Sequence, residues 1–225
     1  MAALHRRILH PRVVAALEAQ LQRRRAVLER GARHVGWKIG GDIPEVDEIS
    51  GGMPAIGYLT SASLLPGGGV YRGGAAAGLH ADTEVVIQLG RDVDVAADAA
   101  AAIAGLAVGL EVVDLGRPPG DLEGIIAANV FHRAFALGEP TPVTLPLDAE
   151  ARSVMNGQIR ETGSVRGDYA ETVRTVARLL GAVGERLRAG DLILSGSVTQ
   201  VGVAAGDKVR AEIDGLGSVA LTVEP

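Results

Sequence analysis

Two carboxylate side chains, Asp82 and Glu84, are separated by one residue in a segment whose composition indicates a β-strand. Strand side chains alternate between the two faces of a sheet, so both carboxylates point to the same face. Two acids held this close repel each other unless water surrounds both or a cation lies between them. Magnesium and manganese ions prefer oxygen ligands of this kind. The pattern by itself leaves two interpretations open, a solvated polar face and a site for a divalent cation.

Glu111 is a third acid of interest, because it interrupts the apolar run from Val108 to Val113, which indicates another strand. Burying such an acid without a partner is costly, so it must face solvent, meet a basic side chain or bind a metal ion. Glu111 therefore strengthens the metal interpretation. The sequence does not show whether its strand is a neighbour of the strand that carries Asp82 and Glu84.

Lys38 is one of two lysines among the 22 basic residues; the other basic residues are arginines. A lysine retained in such a chain suggests a need for its compact ammonium group and its adjustable pKa. Gly36, Gly40 and Gly41 surround it, and glycines permit the close approach of a ligand or another backbone. An ordinary surface lysine is the alternative interpretation.

The composition excludes several classes of protein. The 225 residues include 27 acidic side chains and no cysteine, which excludes disulfides, thiol catalysis and cysteine-based zinc sites. The net charge of -5 argues against a general nucleic-acid binder. No apolar run approaches the ~18 residues of a membrane span, and residues 1–11 do not have the pattern of a signal peptide. We therefore expect a cytoplasmic protein that binds neither nucleic acid nor a membrane.

The apolar patterning predicts many short strands and a few helices that must position these side chains. We expect helices over 11–33, 94–106, 121–129 and from 168 to about 189, strands over 108–113, 154–161, 192–196, 208–213 and 218–223, several short strands between 37 and 90, and an extended segment at 140–146. Asp168 with Glu171 resembles a capping box at the start of the last helix. The arginines at 23–25 are expected on a solvated face of the first helix, with an anion site as the alternative.

Five motifs occur along the chain in a fixed order. They are GWKIG at 36–40, DTEV at 82–85, GLEVVD at 109–114, AGDLILSGS at 189–197 and GLGSV at 215–219. Together they resemble the fumarylacetoacetate hydrolase superfamily, and within it the branch of 2-keto-4-pentenoate hydratases and 4-oxalocrotonate decarboxylases. The resemblance extends from about residue 20 to the end of the chain.

The resemblance implies an α+β fold dominated by rolled β-sheets, with an N-terminal helix and a few packed helices, in a homo-oligomer. Residues 1–35 would form an N-terminal helical arm, and residues 36–225 the catalytic domain. One Mg²⁺ or Mn²⁺ ion would be bound by Asp82, Glu84 and Glu111. That ion would chelate the carboxylate and 2-oxo oxygens of a small 2-oxo acid and stabilise an enolate.

The resemblance also implies roles for other side chains. Lys38 would be an acid/base group or would contact the substrate carboxylate. The hydroxyl groups of Ser195, Ser197 and Thr199 would line the substrate pocket.

The segment around Asn129 departs from the Ala-Asp-Asn-Ala-Ser-Ser pattern of the hydratases, because it places His132 and Arg133 where relatives face the substrate. We hypothesise that His132 is catalytic and that Asn129 and Arg133 bind substrate. A role at the surface or at an interface is the alternative for His132 and Arg133.

These observations favour a divalent-metal-dependent lyase of the hydratase type that acts on a small 2-oxo or 2-hydroxy-dienoic acid. Two alternatives remain at this stage. One is a decarboxylase or C–C bond hydrolase of a β-keto or acylpyruvate acid in the same superfamily. The other is a non-catalytic relative that serves as a binding subunit.

Overall fold

A computed structural model of the chain describes residues 9–40, 54–93, 99–116, 121–142 and 149–225. Within these ranges the chain forms twelve strands in two sheets and four helices. The predicted α+β class, dominated by curled sheets, is therefore confirmed. Among the described residues, no helix combines the length and the apolar character that crossing a membrane would require.

The larger sheet has seven strands in the order β2-β1-β10-β5-β6-β7-β3. Their bounds are β1 His34–Gly40, β2 Ala55–Thr60, β3 Leu64–Leu65, β5 Leu79–Leu89, β6 Ile103–Asp114, β7 His132–Leu137 and β10 Leu192–Gly202. Neighbouring strands are antiparallel except in two pairs, β1 with β10 and β3 with β7. Both faces of β5 and β6 are covered, so nearly all of their side chains are buried, the polar ones included.

The smaller sheet has five strands in the order β4-β12-β11-β8-β9, and it packs against the middle of the larger one. Their bounds are β4 Val70–Arg72, β8 Ala149–Met155, β9 Gln158–Val165, β11 Lys208–Ile213 and β12 Gly217–Glu224. The two strands that the sequence predicts near the end of the chain are confirmed as β11 and β12, which pair as a hairpin. Between the sheets lies the main core, to which β5 contributes Val85, Ile87 and Leu89, as the alternation predicts.

The helices cover the larger sheet. Their bounds are α1 Pro11–Glu29, α2 Ala99–Ala102, α3 Leu122–Ala127 and α4 Tyr169–Ala182. Helix α1 packs on β2 and α3, and Leu17 and Leu21 enter the main core. Helix α4 packs on β10, and its N-cap Asp168 accepts a hydrogen bond from the backbone N–H of Glu171, as the capping pattern predicts.

The structure corrects the prediction of a solvated arginine face on α1 for Arg24 only, because Arg23 and Arg25 are exposed. Arg24 is buried, lies 4.9 Å from the ring centre of Trp37, and approaches Glu185 to 3.4 Å. Arg23 donates a hydrogen bond to the carbonyl of Ala127. The pattern misled because an arginine can bury its stem and stack on an aromatic ring while it keeps an acidic partner.

Three element boundaries are also corrected. The last predicted helix, expected from 168 to about 189, ends at Ala182. The helix predicted over 94–106 is limited to Ala99–Ala102 in the part that can be described, because the apolar run continues as β6 from Ile103. The strand predicted over 154–161 is a hairpin, with Asn156 and Gly157 both at positive φ in its turn. Residues 94–98, 143–146 of the predicted extended segment and 41–53 of the glycine-rich region lie outside the described residues.

Candidate metal centre

The pairing of β5 with β6 places three acids together. In this antiparallel pair Asp82 lies opposite Glu111, and Glu84 lies opposite Gly109 on the same face. One carboxylate oxygen from each of the three acids lies within 4.8 Å of the others. The side chains are buried, with exposed fractions of 4% for Asp82 and 1% for each glutamate. The solvated-face interpretation is therefore wrong for all three acids.

An irregularity in β10 shapes the neighbouring part of the site. The pairing of β10 with β5 shifts between Leu194 and Ser197, and Gly196 has a φ of +102° there. A glycine adopts this conformation at little cost, and the shift turns its N–H toward Glu84, whose Oε2 accepts a hydrogen bond of 2.8 Å. Further along β10, the amide of Gln200 donates to Asp82 Oδ2 over 3.1 Å.

Lys38 closes the site from β1. Its Nζ lies 2.7 Å from Oε1 and 2.8 Å from Oε2 of Glu111, and it also donates to the carbonyl of Val130 over 3.1 Å. Strands β10 and β5 separate β1 from β6, which in a flat sheet would hold the two strands roughly 14 Å apart. The contact therefore depends on the curl of the larger sheet. Gly57 on β2 leaves room, because a Cβ there would lie 2.8 Å from the Lys38 stem.

A left-handed turn presents the Val130 carbonyl to this lysine. Asn129, Val130 and Phe131 all have positive φ, between 51° and 66°, which is unfavourable for residues other than glycine. The Asn129 side chain stabilises the turn, because its Oδ1 accepts from the N–H of Tyr58 at 2.7 Å and its Nδ2 donates to the Tyr58 carbonyl at 3.0 Å. The Asn129 side chain thus makes the two backbone hydrogen bonds with Tyr58 that a neighbouring strand would make along the edge of β2.

His132 lies behind Glu111. Its Nδ1 is 2.6 Å from Glu111 Oε1, and its Nε2 is 2.9 Å from the hydroxyl of Ser63. Burial lowers the pKa of His132, against the opposing influence of Glu111, which favours the neutral ring. An ionised Glu111 only accepts hydrogen bonds, so we assign the ring proton to Nδ1.

The three acids have different electrostatic environments. Burial tends to raise the pKa of Glu111, but Lys38 and His132 outweigh it and hold this pKa well below its usual range. Burial together with the charge of Glu111 raises the pKa of Asp82 to about 7 and that of Glu84 well above its ordinary value. Without a cation, Glu111 is therefore the acid that ionises most readily, whereas Asp82 and Glu84 keep their protons to higher pH than isolated carboxyl groups do.

The donor set fits a divalent cation. Asp82 Oδ1 is buried and has no hydrogen-bond partner among the described residues, although an unpartnered buried carboxylate oxygen is unfavourable. The cluster offers oxygen ligands only, which Mg²⁺ and Mn²⁺ prefer. A dication bound there would offset the repulsion between the acids and partner the free oxygen.

A cavity of 610 Å³ opens over the acids, which is within the usual range for small-molecule sites. Of the sequence-predicted residues, the acids, Lys38, Ser195 and Ser197 line it. Thr199 does not line it, because its hydroxyl is buried in a hydrogen-bonded row with those of Ser153 and Thr83.

The other predicted residues face a second cavity of 370 Å³ on another side of the site. Asn129, His132 and Arg133 line that cavity and not the one over the acids. Arg133 also pairs with Asp114 over 3.2 Å. The structure thus brings the predicted metal ligands, the lysine and two serines to the cavity over the acids, whereas these three residues lie outside that cavity, with His132 in contact with Glu111 from behind.

Sequence reasoning missed five cavity residues that carry polar side chains. They are Ser164, Arg166, Tyr169, Thr172 and Gln200. Gln200 is placed by its strand and directly follows the last predicted polar position of β10. Arg166 and Tyr169 flank the helix cap of α4, and a cap motif gives no sign that its neighbours face a ligand cavity.

Comparisons with known proteins agree with this geometry. Residues 41–224 match the family described as Fumarylacetoacetate (FAA) hydrolase C-terminal. The chain is 31% identical to a 2-hydroxyhexa-2,4-dienoate hydratase of Comamonas testosteroni, over 85% of this chain and 78% of the relative. It is 28% identical to a 4-oxalocrotonate decarboxylase of Pseudomonas putida, over 91% of this chain and 83% of the relative.

A solved structure has the same fold over most of its length. It is the 4-oxalocrotonate decarboxylase from Pseudomonas putida G7 complexed with magnesium and adipate, with a TM-score of 0.83 and 26% identity. The match covers 94% of this chain and 86% of that chain.

Proposed function

The chain belongs to the fumarylacetoacetate hydrolase family, and from this premise we propose that it is a divalent-metal-dependent lyase of the hydratase type. Its substrate would be a small 2-oxo or 2-hydroxy-dienoic acid. The observation that carries the proposal is the convergence of Asp82, Glu84, Glu111 and Lys38 at the buried end of one cavity. This convergence argues against a non-catalytic binding subunit, which would have no need of so costly a buried charge cluster.

Asp82, Glu84 and Glu111 would hold Mg²⁺ or Mn²⁺ in this proposal. The magnesium in the structure of the related decarboxylase supports the choice of metal. A bound dication would supply the positive charge that stabilises an enolate formed from the substrate. The protein prepares the site by keeping Glu111 ionised and by leaving Asp82 Oδ1 free.

Lys38 would act as the proton carrier at this end of the cavity. Its ammonium is fixed by both oxygens of Glu111 and by the carbonyl of Val130, so its position is defined before a substrate binds. The hydroxyl groups of Ser195 and Ser197 would donate hydrogen bonds to substrate oxygens, because both residues line the same cavity.

We propose positioning roles for the residues that lie outside this cavity. His132 would orient Glu111 through its Nδ1 contact, as groups behind metal ligands commonly do. Asn129 would act on Lys38 through the turn that presents the Val130 carbonyl. Thr199 would hold β10 against β8 of the smaller sheet through its hydrogen bond with Ser153, and Arg133 would hold Asp114 at the end of β6.

Hydration is preferred over the alternative of decarboxylation or C–C cleavage. The hydratase relative is 31% identical and the decarboxylase relative 28%, and metal-assisted enolate chemistry serves both reactions. The products decide between them, because hydration adds one water to the substrate whereas decarboxylation releases carbon dioxide.

We further propose that the protein works in the cytoplasm as a homo-oligomer on a small-molecule substrate. Catabolic acids of this kind are water-soluble, and the absence of cysteine from the sequence suits a reducing compartment. Native mass spectrometry would test the oligomer, and a single-chain mass across the working concentration range would contradict it.

The direct test is to mix the protein with Mg²⁺ and 2-hydroxypenta-2,4-dienoate or 2-hydroxyhexa-2,4-dienoate and follow the loss of dienol absorbance. We expect a loss that requires the metal, stops with chelator and yields the hydrated product. The double variant Asp82→Asn with Glu84→Gln should be inactive, whereas Glu150→Gln, an exposed acid outside the cavity, should retain activity. No metal-dependent loss with either dienoate would contradict the proposal.

A further inference from the structure

Arg166 lines the same cavity as the three acids, in the segment between β9 and α4. It is exposed, and no described residue forms an ion pair or a hydrogen bond with its side chain. An arginine on a protein surface is often simply hydrated. Arg166, however, lies on the wall of a ligand-sized cavity, so an anionic group of a bound ligand can pair with it.

The nearest acids along the chain are engaged elsewhere. Asp168 caps α4 and accepts a hydrogen bond of 3.0 Å from the N–H of Glu171. The carboxylate of Glu171 accepts from Arg174 over 2.9 Å. Glu161, as near along the chain as Glu171, accepts a hydrogen bond of 2.9 Å from a backbone N–H of β10, and none of the three acids pairs with Arg166.

The other positive side chain on the cavity wall, that of Lys38, already has an acidic partner. Lys38 makes two short contacts to the oxygens of Glu111 at the buried end. Among the described residues that line the cavity, Arg166 is therefore the positive side chain without an acidic partner. A second anionic group of a ligand would find its complement there.

The cavity has a buried end and an exposed end. The three acids are almost fully buried, whereas Ser164, Arg166 and Gly167 are exposed on the same cavity wall. Tyr169 lies beside them, and burial raises its pKa to about 12, so its hydroxyl keeps its proton and can donate. Hydrogen-bond donors for an anion thus gather at the end away from the acids.

We propose that Arg166 binds a second carboxylate at the far end of the substrate, so that the preferred substrate is a 2-oxo or 2-hydroxy-dienoic dicarboxylic acid. The proposal rests on the proposed function, because it requires the 2-oxo acid group to occupy the buried, metal-binding end. A guanidinium forms paired hydrogen bonds with a planar carboxylate, which suits it to this task. Arg166 is thereby a specificity-determining residue.

Binding of matched ligands to the Mg²⁺-loaded protein tests this assignment. Calorimetry would compare 2-oxoadipate with 2-oxohexanoate, and 2-oxoglutarate with 2-oxopentanoate. Within each pair the carbon skeleton is the same, and only the terminal group differs. The variants are Arg166→Gln and the control Arg160→Gln, which removes an exposed arginine of β9 that does not line the cavity.

We expect the wild-type protein to bind the diacid of at least one pair about tenfold more tightly, which corresponds to about 1.4 kcal/mol. Arg166→Gln should remove this preference by weakening the diacid alone, and Arg160→Gln should keep it. Equal affinities within both pairs for the wild type, or a preference that survives in Arg166→Gln, would overturn the assignment of Arg166. Failure of all four ligands to bind in a metal-dependent manner would instead contradict the proposed function.

Discussion

The ammonium group of Lys38 contacts both carboxylate oxygens of Glu111, at 2.7 and 2.8 Å, although two strands separate their positions in the sheet. Both side chains are buried. The pair therefore ties the two sides of the curled sheet together at the base of the cavity, and it sets the charge state of the site.

Removal of Lys38 should destabilise the metal-free protein. Lys38→Met leaves Glu111 buried without its main partner, which in other proteins costs about 3–5 kcal/mol. Urea unfolding should show this loss without metal and a smaller loss with Mg²⁺, because a bound cation gives Glu111 a new partner. The control is Lys208→Met, which changes the other, exposed lysine. Equal stability of Lys38→Met and the wild type without metal would contradict a stabilising pair.

Stability and metal binding should depend on pH in opposite senses. The pKa of Asp82 is raised from 3.8 to about 7, chiefly by burial, so the folded state holds this proton more tightly than the unfolded state. Its contribution to the stability of the metal-free protein is complete below about pH 4 and is lost as pH rises through about 7. Metal binding requires ionised ligands, so the Mg²⁺-induced rise in Tm should be larger at pH 8 than at pH 6. A rise that is the same at both pH values would count against Asp82 as a ligand.

Alternation along β5 predicts from sequence alone that Asp82 and Glu84 share a face, and the structure confirms it. The partner of β5 could not be predicted, because pairing between distant segments leaves no local pattern. The same limit applies to the contact of Lys38 with Glu111, which depends on the curl of the whole sheet. The family resemblance predicted that Asp82, Glu84 and Glu111 bind one ion together, which the residues alone left open.

The segment around residues 129–131 shows a different limit. Non-glycine residues rarely adopt positive φ, so no residue pattern indicated a left-handed turn there. The turn redirects Asn129 to the backbone of Tyr58 and places His132 behind Glu111. The position of the motif predicts that these side chains lie next to the substrate. The local sequence pattern could not decide whether they do.

Asn129→Ala should lower turnover more than it raises KM. The substitution removes both hydrogen bonds to Tyr58 and loosens the turn that holds Lys38 through Val130, whereas the metal ligands stay in place. We expect kcat to fall about tenfold, equivalent to about 1.4 kcal/mol, with the Mg²⁺-induced rise in Tm retained.

A matched control for this variant is Asn156→Ala. Asn156 also makes two hydrogen bonds, to Asp207 and to the N–H of Lys208, at a hairpin that does not line the cavity. It should lose a comparable stability, about 1–2 kcal/mol, with kcat unchanged. If both variants lower kcat equally, Asn129 has only a structural role; a rise in KM alone would instead indicate direct substrate contact.

His132→Ala should weaken metal binding. The imidazole orients Glu111 from behind, and loss of such a group commonly reduces metal affinity about 10–100-fold. Titration of the metal-free variant with Mn²⁺, followed by electron paramagnetic resonance of the free ion, would measure this loss. Unchanged Mn²⁺ affinity with lost turnover would contradict positioning and support the catalytic hypothesis drawn from the sequence.

The most direct test of the account is the thermal unfolding of the metal-free protein with and without Mg²⁺ or Mn²⁺. At about 100 times Kd, a cation that binds only the folded state adds about 2.7 kcal/mol, so the wild type should show a clear rise in Tm. The double variant Asp82→Asn with Glu84→Gln should show none, and Glu150→Gln should behave as the wild type. An unchanged wild-type Tm with either ion, or an equal rise in the double variant, would contradict a metal centre formed by Asp82, Glu84 and Glu111.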